Sequence, residues 1–227
     1  MKKQKRSYHK LTTKQRKALR AAQVRRQKIF LAAGLVVIFL FLLFLLLPGK
    51  SRNTVKHIND ACESFRTDVE RISANYGMAD YVDLILALMM QESSGVGPDV
   101  MQSSEGAFNT QYPQTPNGIT DTEYSIECGI QELKYAMDKA GVQSPSDLKN
   151  IRLALQAYNF GADAYFSYME EHHETSWSQE SAEAFARMAS GGKERAEDDP
   201  FRDPAGPWDY GDQRYPEHVL QYYQKNK

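Results

Sequence analysis

Apolar residues fill one long stretch near the N-terminus and then recur at helical spacing along most of the chain. Residues 29–47 carry no charge and are nearly all Leu, Ile, Val, Phe and Ala. At a rise of about 1.5 Å per residue, a helix of this length covers about 28 Å, close to the ~30 Å hydrocarbon core of a bilayer. The pattern predicts one transmembrane helix at 29–47.

A cleaved signal peptide is the alternative interpretation of this stretch. The apolar core of a signal peptide usually has about 7 to 15 residues and is followed by a small-residue cleavage site. Residues 46–50 read Leu-Leu-Pro-Gly-Lys and offer no such site. We therefore expect an uncleaved, single-pass anchor in the cell membrane.

Beyond the anchor, apolar positions three or four residues apart predict a series of amphipathic helices. These segments are 55–76, 122–140, 148–157, 162–171, 181–188 and 215–224. The helix predicted at 81–91 differs, because residues 81–90 are apolar on every face except at Asp83 and so predict a helix that is buried all round. No convincing strand pair is present, so the predicted fold class is mainly α.

Charge is distributed unevenly about the anchor. Residues 1–28 hold 12 Lys and Arg and no acid, whereas the rest of the chain has 16 Lys and Arg against 29 Asp and Glu. The basic arm predicts a cytoplasmic N-terminus, followed by a linker at 48–54 and one extracytoplasmic domain at 55–227. A formal charge of −13 on the exported part argues against a phosphate-binding surface, so no nucleic-acid partner is expected.

The two cysteines leave one structural question open. Cys62 and Cys128 could pair in an oxidising compartment, but each falls in a helix-like segment where a buried thiol is equally natural.

The candidate chemistry lies where the predicted buried helix ends. Glu92 emerges there at the edge of the core, and desolvation raises the pKa of a carboxyl group, as a general acid for glycoside cleavage requires. Negative charge at a helix C-terminus is disfavoured by the helix dipole, so an unused Glu there would be costly. Residues 93–120 follow as a long loop, which in a compact domain is usually functional. Asp99 in this loop could activate water or stabilise positive charge on the sugar.

Three motifs in this part of the chain occur together in one superfamily. They are Glu92-Ser93, the run Met101-Gln102-Ser103-Ser104-Glu105, and Ala157-Tyr158-Asn159-Phe160-Gly161. In this order and spacing, residues 55–227 resemble the goose-type lysozyme and lytic transglycosylase superfamily. Within this superfamily the chain resembles the membrane-anchored muramidase domains of Gram-positive conjugative elements.

The resemblance implies a lysozyme-like N-acetylmuramidase that cleaves the β-1,4 bond between N-acetylmuramic acid and N-acetylglucosamine in peptidoglycan. It assigns catalysis to Glu92 and to Asp99, since the muramidase branch has an Asp seven residues after its catalytic Glu. The implied substrate-binding residues are Ser93, Met101, Gln102, Ser103, Ser104, Glu105, Tyr158 and Asn159. It also implies a conjugative secretion system as partner. The chemistry requires no metal or cofactor.

Two other functions are compatible with the same residues. A lytic transglycosylase would form a 1,6-anhydro product without delivering water; here Asp99-Val100-Met101-Gln102 stands where those enzymes usually have Gly-Leu-Met-Gln, which favours a hydrolase. A wall-binding or assembly scaffold could retain the fold without turnover. Such a scaffold would have no need for a desolvated acid at Glu92.

Overall fold

The computed structural model describes residues 56–199, 202–203 and 205–223, and this part of the chain is mainly helical. Its α-helices are α1 (Asp60–Glu63), α2 (Arg66–Asn75), α3 (Val82–Glu92), α4 (Thr122–Ala140), α5 (Leu148–Phe160), α6 (Ala162–Glu171), α7 (Gln179–Ala189) and α8 (Tyr215–Leu220). A single 3₁₀ turn, Ala79–Tyr81, leads into α3. Within the described ranges no β-strand forms, and only two isolated bridges occur, one joining Glu194 to Trp208 and one joining Asp203 to Gly206.

Helix α3 lies at the centre of the core. Six consecutive side chains, Leu84 to Met89, are completely shielded from solvent. Helices α1, α2 and α8 pack against it. The predicted burial on all faces is therefore confirmed for residues 84–89, because this part of the sequence is wholly apolar. Both ends of the helix are partly exposed.

Helices α4 and α5 form the second half of the core, and each has well-defined ends. The side chain of Asp121 caps α4 by accepting hydrogen bonds from the backbone N–H groups of Glu123 and Tyr124. Gly141 ends the helix with a left-handed φ of 72°, which favours glycine. Helix α5 packs against α4, α6 and α8, so it connects the two halves of the domain.

Some predicted boundaries differ from the observed ones. The single helix predicted at 55–76 is two helices, because the backbone N–H of Phe65 bonds to the carbonyl of Cys62 and tightens the chain between α1 and α2. Helix α5 continues three residues beyond its predicted end and stops at Gly161, whose φ is 85°. Helix α7 begins two residues early because Ser178 caps it. Helix α8 ends at Leu220 instead of 224.

The two cysteines are not bonded to each other, and both are buried. The Sγ atom of Cys62 lies 3.8 Å from Sδ of Met90, and that of Cys128 lies 3.5 Å from the carbonyl oxygen of Phe108. Burial raises the pKa of each thiol to about 11. Both therefore behave as small packed side chains that stay protonated at neutral pH.

The predicted arm, anchor and linker, at 1–28, 29–47 and 48–54, lie outside the described residues. In the part of the chain that the structure does describe, no helix combines the length and the apolar character needed to cross a bilayer.

Candidate active site

Glu92 is the last residue of α3, and its carboxyl group meets α8. The hydroxyl of Tyr215 donates a hydrogen bond to Oε1 of Glu92. The pKa of Glu92 is raised to about 7, chiefly by burial. The hydrogen bond from Tyr215 lowers it, and the nearby acids Asp212, Asp99 and Glu132 raise it. A carboxyl group with this pKa is partly protonated at neutral pH and can act as an acid.

The chain turns sharply directly after Glu92. Ser94, Gly95 and Gly97 all have positive φ values, of 56°, 75° and 83°. At Gly95 a Cβ atom would lie only 2.8 Å from the backbone nitrogen of Cys62, so a side chain cannot be accommodated. Ser93 stabilises the turn from within, since its Oγ accepts from Gly95 N at 3.0 Å and donates to the Val100 carbonyl at 2.7 Å.

This turn carries Asp99 into the interior, where it is only 1% exposed. Its Oδ1 accepts from Ser103 N at 3.1 Å and from Ser125 Oγ at 2.7 Å. Its Oδ2 accepts from both the backbone N–H, at 3.3 Å, and the hydroxyl of Ser104. Both carboxylate oxygens are therefore occupied by protein donors, and Asp99 fixes the loop that follows it.

The predicted substrate-binding run at 101–105 contains three buried and two exposed side chains. Met101 is fully buried against α4, where a Cβ atom on Gly129 would lie 2.6 Å from Met101 Cβ. Ser103 and Ser104 are buried as well, whereas Gln102 and Glu105 are exposed. Only these two side chains of the run reach the surface, and the amide nitrogen of Gln102 donates to the Asp99 carbonyl and to Oδ1 of Asn117, each at 2.9 Å.

The end of α5 joins the loop to α8. The Tyr158 hydroxyl donates to the Met101 carbonyl at 2.8 Å, and the Tyr158 ring stacks on Tyr215 with centroids 6.5 Å apart. Oδ1 of Asn159 accepts from the backbone N–H of Asp212 at 2.7 Å. The third motif thus lies beside Glu92, with both residues engaged in holding the site together.

Sequence reasoning missed two residues of this site. Tyr215 was predicted only as part of an aromatic C-terminal helix, and nothing local indicates its bond to a residue 123 positions earlier. Glu132 of α4 was not singled out at all, although a signal existed: it falls on the face that carries Cys128, Gly129 and Leu133, which is buried. A charged residue in such a stripe is unusual and indicates a special environment.

The carboxyl group of Glu132 is packed tightly against the loop. A Cβ atom on Gly106 would lie 1.5 Å from Oε1 of Glu132, and the backbone N–H of Ala107 donates to the carboxylate. Burial raises the pKa of Glu132 to about 7 in spite of this hydrogen bond, and the negative charge of Asp99 adds to the increase. Within the described residues, no cluster of His, Cys, Asp and Glu is arranged to hold a metal ion.

With this fold and site, the chain belongs to the lysozyme-like family, whose family model matches residues 60–223. The bifunctional muramidase/DL-endopeptidase CwlT of Bacillus subtilis is 36% identical over 160 residues, which cover 70% of this chain and 41% of CwlT. The uncharacterized membrane protein YocA of the same species is 33% identical over 159 residues, covering 65% of this chain and 66% of YocA.

A solved structure is similar too. It is the crystal structure of a Staphylococcus aureus protein described as similar to lipoprotein, NLP/P60 family. The TM-score is 0.60 and the identity is 31%, with 76% of this chain and 55% of the other chain covered. The chain thus spans between about two fifths and two thirds of the length of these relatives.

The raised pKa of Glu92 predicts a stability difference that depends on pH. The pKa is about 7 in the folded protein and 4.5 ordinarily. Burial of the neutral carboxyl group therefore costs nothing electrostatically below about pH 4.5, and the folded state loses stability as pH rises through about 7. We expect Glu92→Gln to match the wild type near pH 4.5 and to exceed it by about 1–3 kcal/mol at pH 8. Urea unfolding followed by tryptophan fluorescence measures this.

Glu171→Gln is the matched control, since Glu171 also ends a helix but is exposed. Its difference from the wild type should stay small at both pH values. A Glu92→Gln protein that is no more stable than the wild type at pH 8 would contradict the burial of this carboxyl group.

The four donors around Asp99 predict a large effect of Asp99→Asn. An amide has only one acceptor oxygen, and its NH₂ group would face donors, so buried groups lose their partners. We expect a loss of about 2–4 kcal/mol of unfolding free energy at pH 7. Asp121→Asn, which preserves a helix cap, should change the stability by less than about 0.5 kcal/mol. Equal stabilities of the two variants would show that the contacts of Asp99 contribute little.

Proposed function

We propose that this protein is a peptidoglycan hydrolase, an N-acetylmuramidase that cleaves the β-1,4 bond between N-acetylmuramic acid and N-acetylglucosamine. The observation that carries the proposal is the Glu92 carboxyl group, which lies at the end of a helix whose central residues Leu84–Met89 are fully buried and which has a pKa of about 7. Membership of the lysozyme-like family supports the same substrate class.

Glu92 is the proposed general acid. It protonates the oxygen of the leaving N-acetylglucosamine while positive charge develops on the other sugar. Tyr215 holds the carboxyl group in place through Oε1. The exposed side chains of Gln102 and Glu105 are the proposed contacts to sugar hydroxyl and N-acetyl groups.

The remaining predicted site residues take a supporting role in this proposal. Ser93, Met101, Ser103 and Ser104 shape the loop from inside, and Tyr158 and Asn159 attach it to α8. Asp99 is proposed as a positioning residue, because four protein donors occupy its two oxygens.

Peptide cleavage is a second activity in the printed name of CwlT, but this chain covers only 41% of that protein. A thiol peptidase requires a cysteine whose pKa is lowered so that the thiolate forms. Burial instead raises the pKa values of Cys62 and Cys128 to about 11. The described site therefore favours glycan cleavage.

A lytic transglycosylase is the second candidate, and one observation favours it. The occupied oxygens of Asp99 leave this carboxylate poorly placed to activate water. In that case the substrate's own hydroxyl would attack and form 1,6-anhydro ends. The two activities differ in their products, because a muramidase leaves reducing N-acetylmuramic acid ends and a transglycosylase leaves 1,6-anhydro ends.

We further propose that residues 29–47 anchor the protein in the cell membrane, with residues 1–28 in the cytoplasm and the lysozyme-like domain facing the wall. The uncharged stretch and the basic arm support this topology, and one relative is named as a membrane protein. A role in opening the wall for a conjugative secretion system rests on the resemblance alone.

Glu92→Gln removes the transferable proton but retains size and hydrogen-bond acceptance. We expect the full-length variant in detergent to digest purified peptidoglycan at least about 10²-fold more slowly than the wild type, with an unchanged circular dichroism spectrum. Glu171→Gln should keep the wild-type rate.

The products of the wild-type digest are analysed by mass spectrometry with and without borohydride. Reducing N-acetylmuramic acid ends support the muramidase, and a digest dominated by 1,6-anhydro ends would select the transglycosylase. Normal turnover by a folded Glu92→Gln protein would exclude both assignments.

The topology predicts an asymmetric response to protease. When protease is added outside intact protoplasts, residues beyond the anchor should be digested while the basic arm remains protected. Immunoblots against a tag at each end provide the measurement. Release of the intact domain into the medium without its first 48 or so residues would instead indicate a cleaved signal peptide.

A further inference from the structure

The site contains a carboxyl group that the proposed reaction has not used. Glu132 lies on the buried face of α4, one turn beyond Gly129, which packs against Met101. The Met101 carbonyl accepts from Tyr158, and the Tyr158 ring stacks on Tyr215, the donor to Glu92. Glu92, Asp99, Glu132 and Tyr158 therefore lie in one cluster, although they come from three helices and a loop. Burying an ionisable carboxyl group costs free energy unless the group is paired or stays neutral.

Hydrolysis by inversion needs two carboxyl groups, one as acid and one as the base that takes a proton from water. Glu92 can serve as the acid. Asp99 is 1% exposed, and each of its oxygens already accepts two hydrogen bonds. A base must still have a lone pair available to the water, and Asp99 does not meet this condition.

Glu132 meets the condition better. It retains partial exposure, and its carboxylate accepts from one backbone N–H, that of Ala107. The absence of a side chain at Gly106 allows the carboxyl group to lie directly over the loop that carries Gln102 and Glu105. The proposed base thus packs against the same loop that carries the proposed sugar contacts.

We propose that Glu132 is the general base of the hydrolytic reaction, which takes a proton from the attacking water while Glu92 supplies one to the leaving sugar. The inference rests on the proposed muramidase function. It assigns to Glu132 the part that the sequence had indicated for Asp99.

Hydrolysis by this pair forms one bond to C1, breaks another and moves two protons. The water oxygen forms a bond to C1 of N-acetylmuramic acid, and one water proton passes to the carboxylate of Glu132. The bond from C1 to the bridging O4 breaks, its electron pair stays on O4, and O4 takes the proton of Glu92. Glu92 ends ionised and Glu132 ends protonated, and exchange with solvent restores both.

The two pKa values are consistent with this division of labour. Both are raised to about 7, so around neutral pH the pair shares about one proton. The state with Glu92 protonated and Glu132 ionised is then accessible, as acid and base catalysis together require.

The test uses the full-length chain in detergent and purified peptidoglycan. Glu132→Ala should hydrolyse the wall at least about 10²-fold more slowly than the wild type. Added sodium formate, a small carboxylate that can enter the vacated space, should restore part of the rate. Glu132→Gln should be equally slow, and the fraction of 1,6-anhydro ends in its products should rise.

Two further variants separate chemistry from folding. Gly106→Ala leaves the backbone unstrained but places a methyl group where Oε1 of Glu132 lies; this flexible carboxyl group must turn away, and the rate should fall at least about tenfold with the fold intact. Glu127→Gln on the same helix preserves an acceptor for the Tyr76 hydroxyl and should act at the wild-type rate.

The outcomes also distinguish this proposal from the proposed function. Wild-type rates in folded Glu132→Gln and Gly106→Ala, with Glu92→Gln inactive, would overturn the role of Glu132 alone. A slow Glu132→Ala protein that formate does not accelerate would also overturn it. A wild-type digest with only 1,6-anhydro ends would overturn the muramidase itself.

Discussion

The desolvation of Glu92 is the constraint on which the rest of the site depends. Helix α3 is buried from Leu84 to Met89, so its last residue must leave the core at a place that other elements also cover. Burying a carboxylate is costly unless it is neutralised or paired, and here the pKa rises to about 7 while Tyr215 donates to the carboxyl group. The raised pKa of Glu92 is thus a direct consequence of how this helix packs.

The two other carboxyl groups beside Glu92, those of Asp99 and Glu132, have different surroundings. Asp99 receives two backbone and two hydroxyl donors, which together satisfy both of its oxygens away from water. Glu132 receives one backbone donor, and its pKa rises. Two carboxyl groups whose surroundings differ in this way are suited to different tasks. One shapes the loop and the other can exchange a proton.

Local pattern was enough to predict much of the fold. Helices α4 and α6 have the predicted bounds, since a capping Asp121 and a terminal Gly141 mark α4 in the sequence itself. The burial of α3 also follows from composition. The break between α1 and α2 could not be predicted, because the apolar spacing continues through Ser64 and Phe65. The break shows only in the backbone, where Phe65 N bonds to the Cys62 carbonyl three residues back instead of four.

The site could be predicted only where its chemistry is local. Glu92 ends a helix whose apolar sequence itself indicates burial. Its partner Tyr215 lies 123 residues away in the chain and reaches Glu92 only because α8 packs against α3 and α5. Glu132 and Gly106 likewise meet only in three dimensions. The match to the lysozyme-like family ends at residue 223, just beyond α8. A chain ending before α8 would lose the donor that positions Glu92, so this last helix belongs to the site as much as to the fold.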